Sequence, residues 1–394
     1  MKKPITPIHK PGPIILFGSG ETSPSGRKIF DCALRQLPAS PRIALLETPA
    51  GFELNSAQVI GRVADFLRIR LQNYQPQVNV IPARKRGTSY SPDDPSIVAP
   101  LYYADMIFMG PGSPTYAVRQ LQNSLAWHIL MARHRLGASI ALASAATVAI
   151  SIYALPVYEI YKVGEELHWK PGLDLFGHYG LPLVFIPHWD NNDGGEELDT
   201  SRCFMGQSRF ARLMEQLPPD LTVLGIDEKT ALIMNIQTGV CHIIGLGGVT
   251  LIHTGHIHRR GSHKPDLAGT SLSEVAEQRE GHIHQHRGGE TFPLSECCPF
   301  KIPGAGEGLP PDIWQQALDA QREIVEQRQS QLQPETKLPD SPPDEVISLL
   351  NLRQAARSRK EWSVSDALRN RIAELGWEVV DTPDSQKLIP KKDS

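Results

Sequence analysis

The chain has 394 residues, 40% of them hydrophobic, with 40 Lys and Arg against 43 Asp and Glu. That is long enough for one large domain with a sizeable core plus a smaller one. A net charge of -3 excludes the overall basic field on which nonspecific nucleic-acid binding relies, so any RNA contact has to be local.

The opening segment, "MKKPITPIHKPGP", is interrupted by Pro4, Pro7, Pro11 and Pro13, which does not read as a signal peptide. No window approaches the roughly 18 consecutive apolar residues of a membrane span. The expectation is a cytoplasmic protein with no membrane partner. The five cysteines (Cys32, Cys203, Cys241, Cys297, Cys298) are an odd number and read as reduced thiols. No cofactor is expected from any motif.

Through the first 250 residues, short apolar runs alternate with amphipathic stretches. The runs are "PIILFG", "RIALLET", "VNVIPA", "ADMIFMGPG", "ASIALAS", "LPLVFIPH", "LTVLGIDE" and "TALIMN"; between them lie "GRKIFDCALRQL", "SAQVIGRVADFLRIRLQNY", "TYAVRQLQNSLAWHILMARHRL" and "SRFARLMEQL". Continuous apolar strands separated by helices predict an α/β fold with a doubly wound, mostly parallel sheet covered on both faces. After about residue 240 the pattern becomes extended hairpin material that closes a domain spanning 1–300. Residues 301–343, rich in Pro, Gly and Gln, read as a linker with one helix at "PPDIWQQALDAQREIVEQRQSQL". Residues 344–394 resume a compact pattern, with two helices, the second ending at Gly376, and a terminal β-hairpin.

In such a sheet, ligands bind beyond the carboxyl ends of the strands. The segments placed there are "FGSGETSPSG", "LETPAGFE", "FMGPGSPTY", "LASAATV" and "IPHWDNNDGGEE". Gly18, Gly20, Gly110 and Gly112 free the backbone at strand ends, either to form tight turns or to aim amides at an anion. Glu21 faces the same crevice, as a contact for a substrate amine or as a charge on a helix N-terminus. Asp190, Asp193, Glu196 and Glu197 form either a polar surface loop or a set of ligands for a cation or a basic substrate.

The succession "GSGE", "GPGSPTYAVRQL", "GASIALASAATVAIS", "IPHW" and "RFARLMEQLPPDLTVLGIDEKTALIM" resembles the serine peptidases of the cyanophycinase and dipeptidase E type. Their fold is that of the glutamine amidotransferase-like superfamily, a flavodoxin-like α/β sheet. The resemblance covers about residues 12–300, and its most specific parts are the strand-serine-helix block and the "GxDExTA" match at Gly225 to Ala231. It implies a Gly-x-Ser-Ala-Gly elbow with Ser144 as nucleophile, His188 as base and Glu159 as the orienting acid. Gly112 and Ala145 would supply oxyanion amides. The implied function is hydrolysis of small peptides or amides.

Two flanking residues depart from that elbow. Leu142 and Ala146 stand where close strand–helix approach ordinarily calls for glycine. Leu142 is therefore expected to crowd the turn or force it open. The alternative role for Ser144 is a hydroxyl that caps the following helix, in a catalytically inactive binding domain. Arg209 and Asp227 are expected to be structural.

His253, His256, His258, His282, His284 and His286 form HxH spacings that put two imidazoles on one face of a strand. With no cysteine or carboxylate at ligand spacing, a solvated hairpin is the simpler reading, and no metal is assigned.

The segment "LLNLRQAARSRKEWSVSDALRNRIAELGWEVVDTPDSQKLIP" resembles the extreme C-terminal part of cysteinyl-tRNA synthetase, through Arg353, Ala356, Arg357, Lys360, Trp362, Asp366, Leu368, Arg369, Leu375, Gly376, Asp381, Thr382 and Pro383. Arg353, Arg357 and Lys360 share one helix face as a candidate RNA-binding stripe, so the expected partner is tRNA or a protein. The module is electrically balanced, with nine Lys and Arg against nine Asp and Glu over 344–394. No HIGH-like or KMSKS-like motif occurs, which excludes aminoacylation.

Overall fold

The structure, a computed structural model, describes residues 10–255, 283–332, 342–382 and 386–390. It divides into two compact units, Met1–Ile324 and Val325–Ser394.

The strands of the first unit are β1 (Ile14–Phe17), β2 (Arg42–Leu46), β3 (Gln77–Ile81), β4 (Met106–Met109), β5 (Ser139–Ala143), β6 (Tyr153–Ala154), β7 (Lys170–Pro171), β8 (Leu183–Ile186), β9 (Thr222–Ile226), β10 (Thr230–Asn235), β11 (Val240–Gly245), β12 (Gly248–His253), β13 (Ile283–Arg287) and β14 (Thr291–Pro293). The main sheet has the order β14-β11-β10-β1-β5-β4-β2-β3. β1, β5, β4, β2 and β3 are parallel to one another, and β10, β11 and β14 extend the sheet antiparallel from β1.

All residues of β1, β4 and β5 are buried, as continuous apolar runs require when helices cover both faces. β5 is packed on both sides with alternating residues. Ile140 and Leu142 join one core, while Ala141 and Ala143 join the other.

The strand sequence alone suggested one sheet, but β8 and β9 pair with each other and with β12 in a second sheet, of order β13-β12-β9-β8. Trp189 follows β8 and lies over β9 where Gly225 leaves room. A Cβ at Gly225 would stand 2.2 Å from the Trp189 ring.

Three helices start at serine caps. Ser23 accepts from the Gly26 N–H, Ser113 from Tyr116 and Ser124 from Trp127, two of them followed by proline at the first helical position. The helix Leu125–Arg135 is buried over most of its length, and its His134 sits edge-on to Tyr179 with ring centroids 5.9 Å apart.

The segment read as a linker from 301 belongs to the first unit as far as Ile324. Leu309, Ile313 and Ala317 are part of the main core, the Lys301 N–H donates to the Tyr179 carbonyl, and Arg133 donates to Gln321 Oε1 at 2.6 Å. The composition of this stretch is loop-like, yet its helix carries an apolar stripe that the core buries.

The second unit contains the helices Asp344–Ser358 and Trp362–Glu374 and the hairpin β15 (Trp377–Asp381) with β16 (Gln386–Pro390). Val346, Ile372, Trp377 and Val379 form its core.

Candidate active site

Ser144 follows β5 with φ 52 and ψ -114, a backbone conformation that side chains rarely adopt and that costs on the order of 1–3 kcal/mol. The helix Ala145–Ala149 begins immediately after it. The elbow is therefore strained, contrary to the expectation that Leu142 would open it. Leu142 does not open it: its side chain packs in the core with Leu16 and Ile140 and with Ala146 and Ala149 of the helix that follows. Thr147 Oγ1 ties the first helical turn to the strand by donating to the carbonyls of Leu142 at 3.0 Å and Phe17 at 3.2 Å. The Ser144 side chain makes no capping bond to its helix.

His188, two residues beyond β8, also has a positive φ of 52, and its N–H donates to the Gly18 carbonyl. Its Nε2 lies 3.1 Å from Ser144 Oγ and its Nδ1 lies 2.9 Å from Glu228 Oε1. These distances make an unbroken hydrogen-bonded chain from serine through imidazole to carboxylate. Asn191 Nδ2 also donates to Glu228 Oε1 at 2.9 Å, and the Glu228 N–H donates to Asp190 Oδ1 at 2.7 Å. The hydrogen bond to His188 holds the Glu228 carboxyl below its ordinary value, against the opposing pull of partial burial. Glu21 stands within electrostatic reach of His188, and burial pushes its carboxyl up.

The acid on the imidazole is thus Glu228 and not Glu159. Glu159 lies in a π-helical turn, Glu159–Val163, where it accepts from Thr115 Oγ1 and pairs with Lys170 Nζ at 3.5 Å. It pins the wall of the site to the start of the helix Pro114–Leu121.

Glu228 went unassigned in the sequence although it sits inside the most specific motif. Several positions of Gly225–Ala231 have a local task. Gly225 admits Trp189, and Asp227 accepts from the Gly248 N–H at 2.7 Å. Thr230 Oγ1 donates to the Glu228 carbonyl and accepts from the Gly247 N–H. The motif is a built turn that delivers one carboxylate, and the fixed residues around Glu228 were the available signal.

A cavity of about 230 Å³ opens at Ser144. Gly112, Ala145 and His188 line it, whereas Gly20, Glu21, Gly110 and Asp190 are not among its lining residues. Gly112 has φ 145, and a Cβ there would stand 2.0 Å from the Pro49 carbonyl oxygen, so only glycine lets this loop approach. Gly20 serves a turn, its carbonyl accepting from Ser23. Gly110 packs on Phe108. Arg209 does not pair with Asp227; it donates to the carbonyls of Phe204 and Met205 at 2.8 and 2.6 Å.

Among the described residues no group of three or more His, Cys, Asp or Glu is placed to hold a metal. His253 Nδ1 meets Thr222 Oγ1, and His286 stacks on Phe292 and bonds Glu296. His256, His258 and His282 lie outside the described residues. No helix is long and apolar enough to cross a membrane, among those same residues.

In the second unit, Arg353 is buried. It makes a two-pronged pair with Asp381, at 2.8 and 3.0 Å, and donates to Gln386. Arg357 reaches the same carboxylate at 3.2 Å, and Lys360 is exposed beyond the helix end. The proposed stripe is therefore broken, because its first cation faces the hairpin and not solvent.

The first unit has a mostly parallel flavodoxin-type sheet, with Ser144, His188 and Glu228 following the carboxyl ends of β5, β8 and β9. Among solved structures, a peptidase from an acI-B1 Actinobacterium superposes with a TM-score of 0.53 at 20% identity, over 72% of this chain and 98% of that one. That likeness shows the fold. A putative peptidase E protein from Listeria monocytogenes EGD-e gives a TM-score of 0.41 at 14% identity, over 60% and 99%. A stretch of 47 residues is 41% identical to Cysteine--tRNA ligase 1 of Burkholderia lata. It amounts to 12% of this chain and 10% of the ligase, so the chain spans about a tenth of that relative. No protein-family profile matches the chain.

Proposed function

We propose that the first unit is a serine peptidase-type hydrolase of small peptides or amides, with Ser144 as nucleophile, His188 as general base and Glu228 as the acid that orients the imidazole. The observation that carries this reading is the Ser144–His188–Glu228 hydrogen-bonded chain built on a left-handed serine.

In the reaction, Ser144 Oγ attacks the carbonyl carbon as its proton passes to His188 Nε2. Glu228, kept ionised by its bond to Nδ1, fixes the ring and stabilises the imidazolium. The amides of Gly112 and Ala145, which flank Ser144 in the cavity, receive the developing oxyanion. His188 then returns the proton to the leaving amine, and water repeats the sequence on the acyl-enzyme.

A fluorophosphonate, which phosphonylates activated serines with loss of fluoride, tests this reading. Labelling of the wild-type chain that vanishes in Ser144→Ala is the expected result; an unlabelled wild type, or labelling that survives the substitution, contradicts it.

A further inference from the structure

The cavity beside Ser144 has mostly apolar and aromatic walls. Pro114, Val148, Val157, Tyr158, Tyr161 and Phe204 line it, and two irregular backbone segments supply its aromatic faces. The π-helical turn Glu159–Val163 carries Tyr161. The run Arg202, Cys203, Phe204 has three consecutive left-handed residues with φ of 58, 57 and 66, and none is glycine. Such a run persists only where its surroundings hold it. Here Arg209 donates to the carbonyls of Phe204 and Met205, and the Cys203 N–H donates to the His188 carbonyl.

The result is a ring placed between the base and the far wall. Phe204 lies 5.8 Å from the His188 ring and 5.5 Å from Tyr161, centroid to centroid. The strain is thus spent on seating one aromatic side chain in the pocket.

We infer that this pocket takes a large apolar or aromatic side chain on the acyl residue of the substrate, with Phe204 and Tyr161 as its specificity-determining residues. The inference rests on the serine-hydrolase reading above. At about 230 Å³ the cavity exceeds the roughly 150 Å³ that accommodates a benzene ring in an apolar protein interior. The cation among the lining residues, Lys162, is exposed and lies over the Tyr158 ring at 4.8 Å. No carboxylate lines the cavity among the described residues. A basic side chain would therefore enter unpaired, and an acidic one would be desolvated against aromatic faces.

Diphenyl aminoalkylphosphonates carrying the side chains of phenylalanine, alanine, aspartate and lysine report this preference as rates of Ser144 modification. The phenylalanine analogue is expected to react at least about tenfold faster than the alanine analogue, the scale on which apolar pockets discriminate. Phe204→Ala and Tyr161→Ala should each lower that ratio, with Phe204→Leu as the variant that keeps the wall apolar if the alanine form does not fold. A fastest reaction with the aspartate or lysine analogue, or a ratio unmoved in folded variants, overturns the inference while leaving the nucleophile in place. Failure of all four analogues and of a small fluorophosphonate removes the serine reading itself, and this inference with it.

Discussion

Ser144 and His188 both hold left-handed backbone conformations. Replacing Ser144 with glycine removes the steric cost at φ 52, so Ser144→Gly should be more stable than wild type by about 1 kcal/mol, read from the midpoint of urea unfolding, while losing all serine labelling. The two carboxylates separate just as sharply. Glu228→Gln keeps the shape but surrenders the charge that selects the imidazole tautomer and stabilises its cation, so labelling should slow by up to about 10⁴-fold. Glu159→Gln touches Thr115 and Lys170 instead and should cost less than about tenfold, because no proton passes through it.

Ser144 and His188 were legible in the sequence because each follows an apolar strand directly, and strand ends are where this architecture presents side chains. Glu228 was not, because its partnership with His188 comes from the pairing of β8 with β9, which no spacing from Ser144 encodes.

At the scale of elements, the helix Leu125–Arg135 predicts an acid sensitivity. Burial pushes the His134 imidazole down to about 3 from its ordinary 6.5. Between those values the unfolded chain takes up a proton that the folded chain refuses, so stability falls as pH drops from about 6.5 towards 3, by up to about 1.4 kcal/mol per unit. Chemical unfolding followed across pH 7 to 4 measures the slope, and His134→Phe should flatten it.

A second prediction lies in the C-terminal hairpin. Asp381→Asn leaves the buried Arg353 guanidinium without its counter-charge and should destabilise that unit by about 3 kcal/mol, visible in its own melting transition. Arg353 also holds the Asp381 carboxyl below its ordinary value. The pair's contribution is thus present above the usual aspartate pKa and is lost as pH falls through the depressed one.

Helical spacing put Arg353, Arg357 and Lys360 on one face, but the helix ends at Ser358 and leaves Lys360 beyond it. Which way the face points was decided by the hairpin carboxylate, a contact that periodicity does not carry. Leu142 follows the same rule: its side chain shares one core layer with Ala146 and Ala149 of the following helix, a packing that spacing along the chain does not carry.

For the molecule as a whole, the alternation of apolar runs with amphipathic stretches was enough to define the parallel sheet, since strands buried on both faces have few other ways to read. It did not reveal that β8 and β9 belong to a second sheet, because their apolar runs are no different from those of β1 or β5. Nor did composition reveal that the chain from 301 to Ile324 packs into the first unit. Prolines and glycines mark the irregular stretch at 303–310, but burial of Leu309, Ile313 and Ala317 attaches it to the core.

Ser144, His188 and Glu228 all lie in the first unit, so a chain ending after residue 340 should keep wild-type labelling of Ser144.

The most direct measurement is the rate of fluorophosphonate modification in the full chain, compared among wild type, Ser144→Ala, Glu228→Gln and Glu159→Gln, with the modified residue located by mass spectrometry. The account predicts modification at Ser144 that is absent in Ser144→Ala, slowed by orders of magnitude in Glu228→Gln and nearly unchanged in Glu159→Gln. Modification at another residue, or a Glu228→Gln rate equal to wild type, would contradict it.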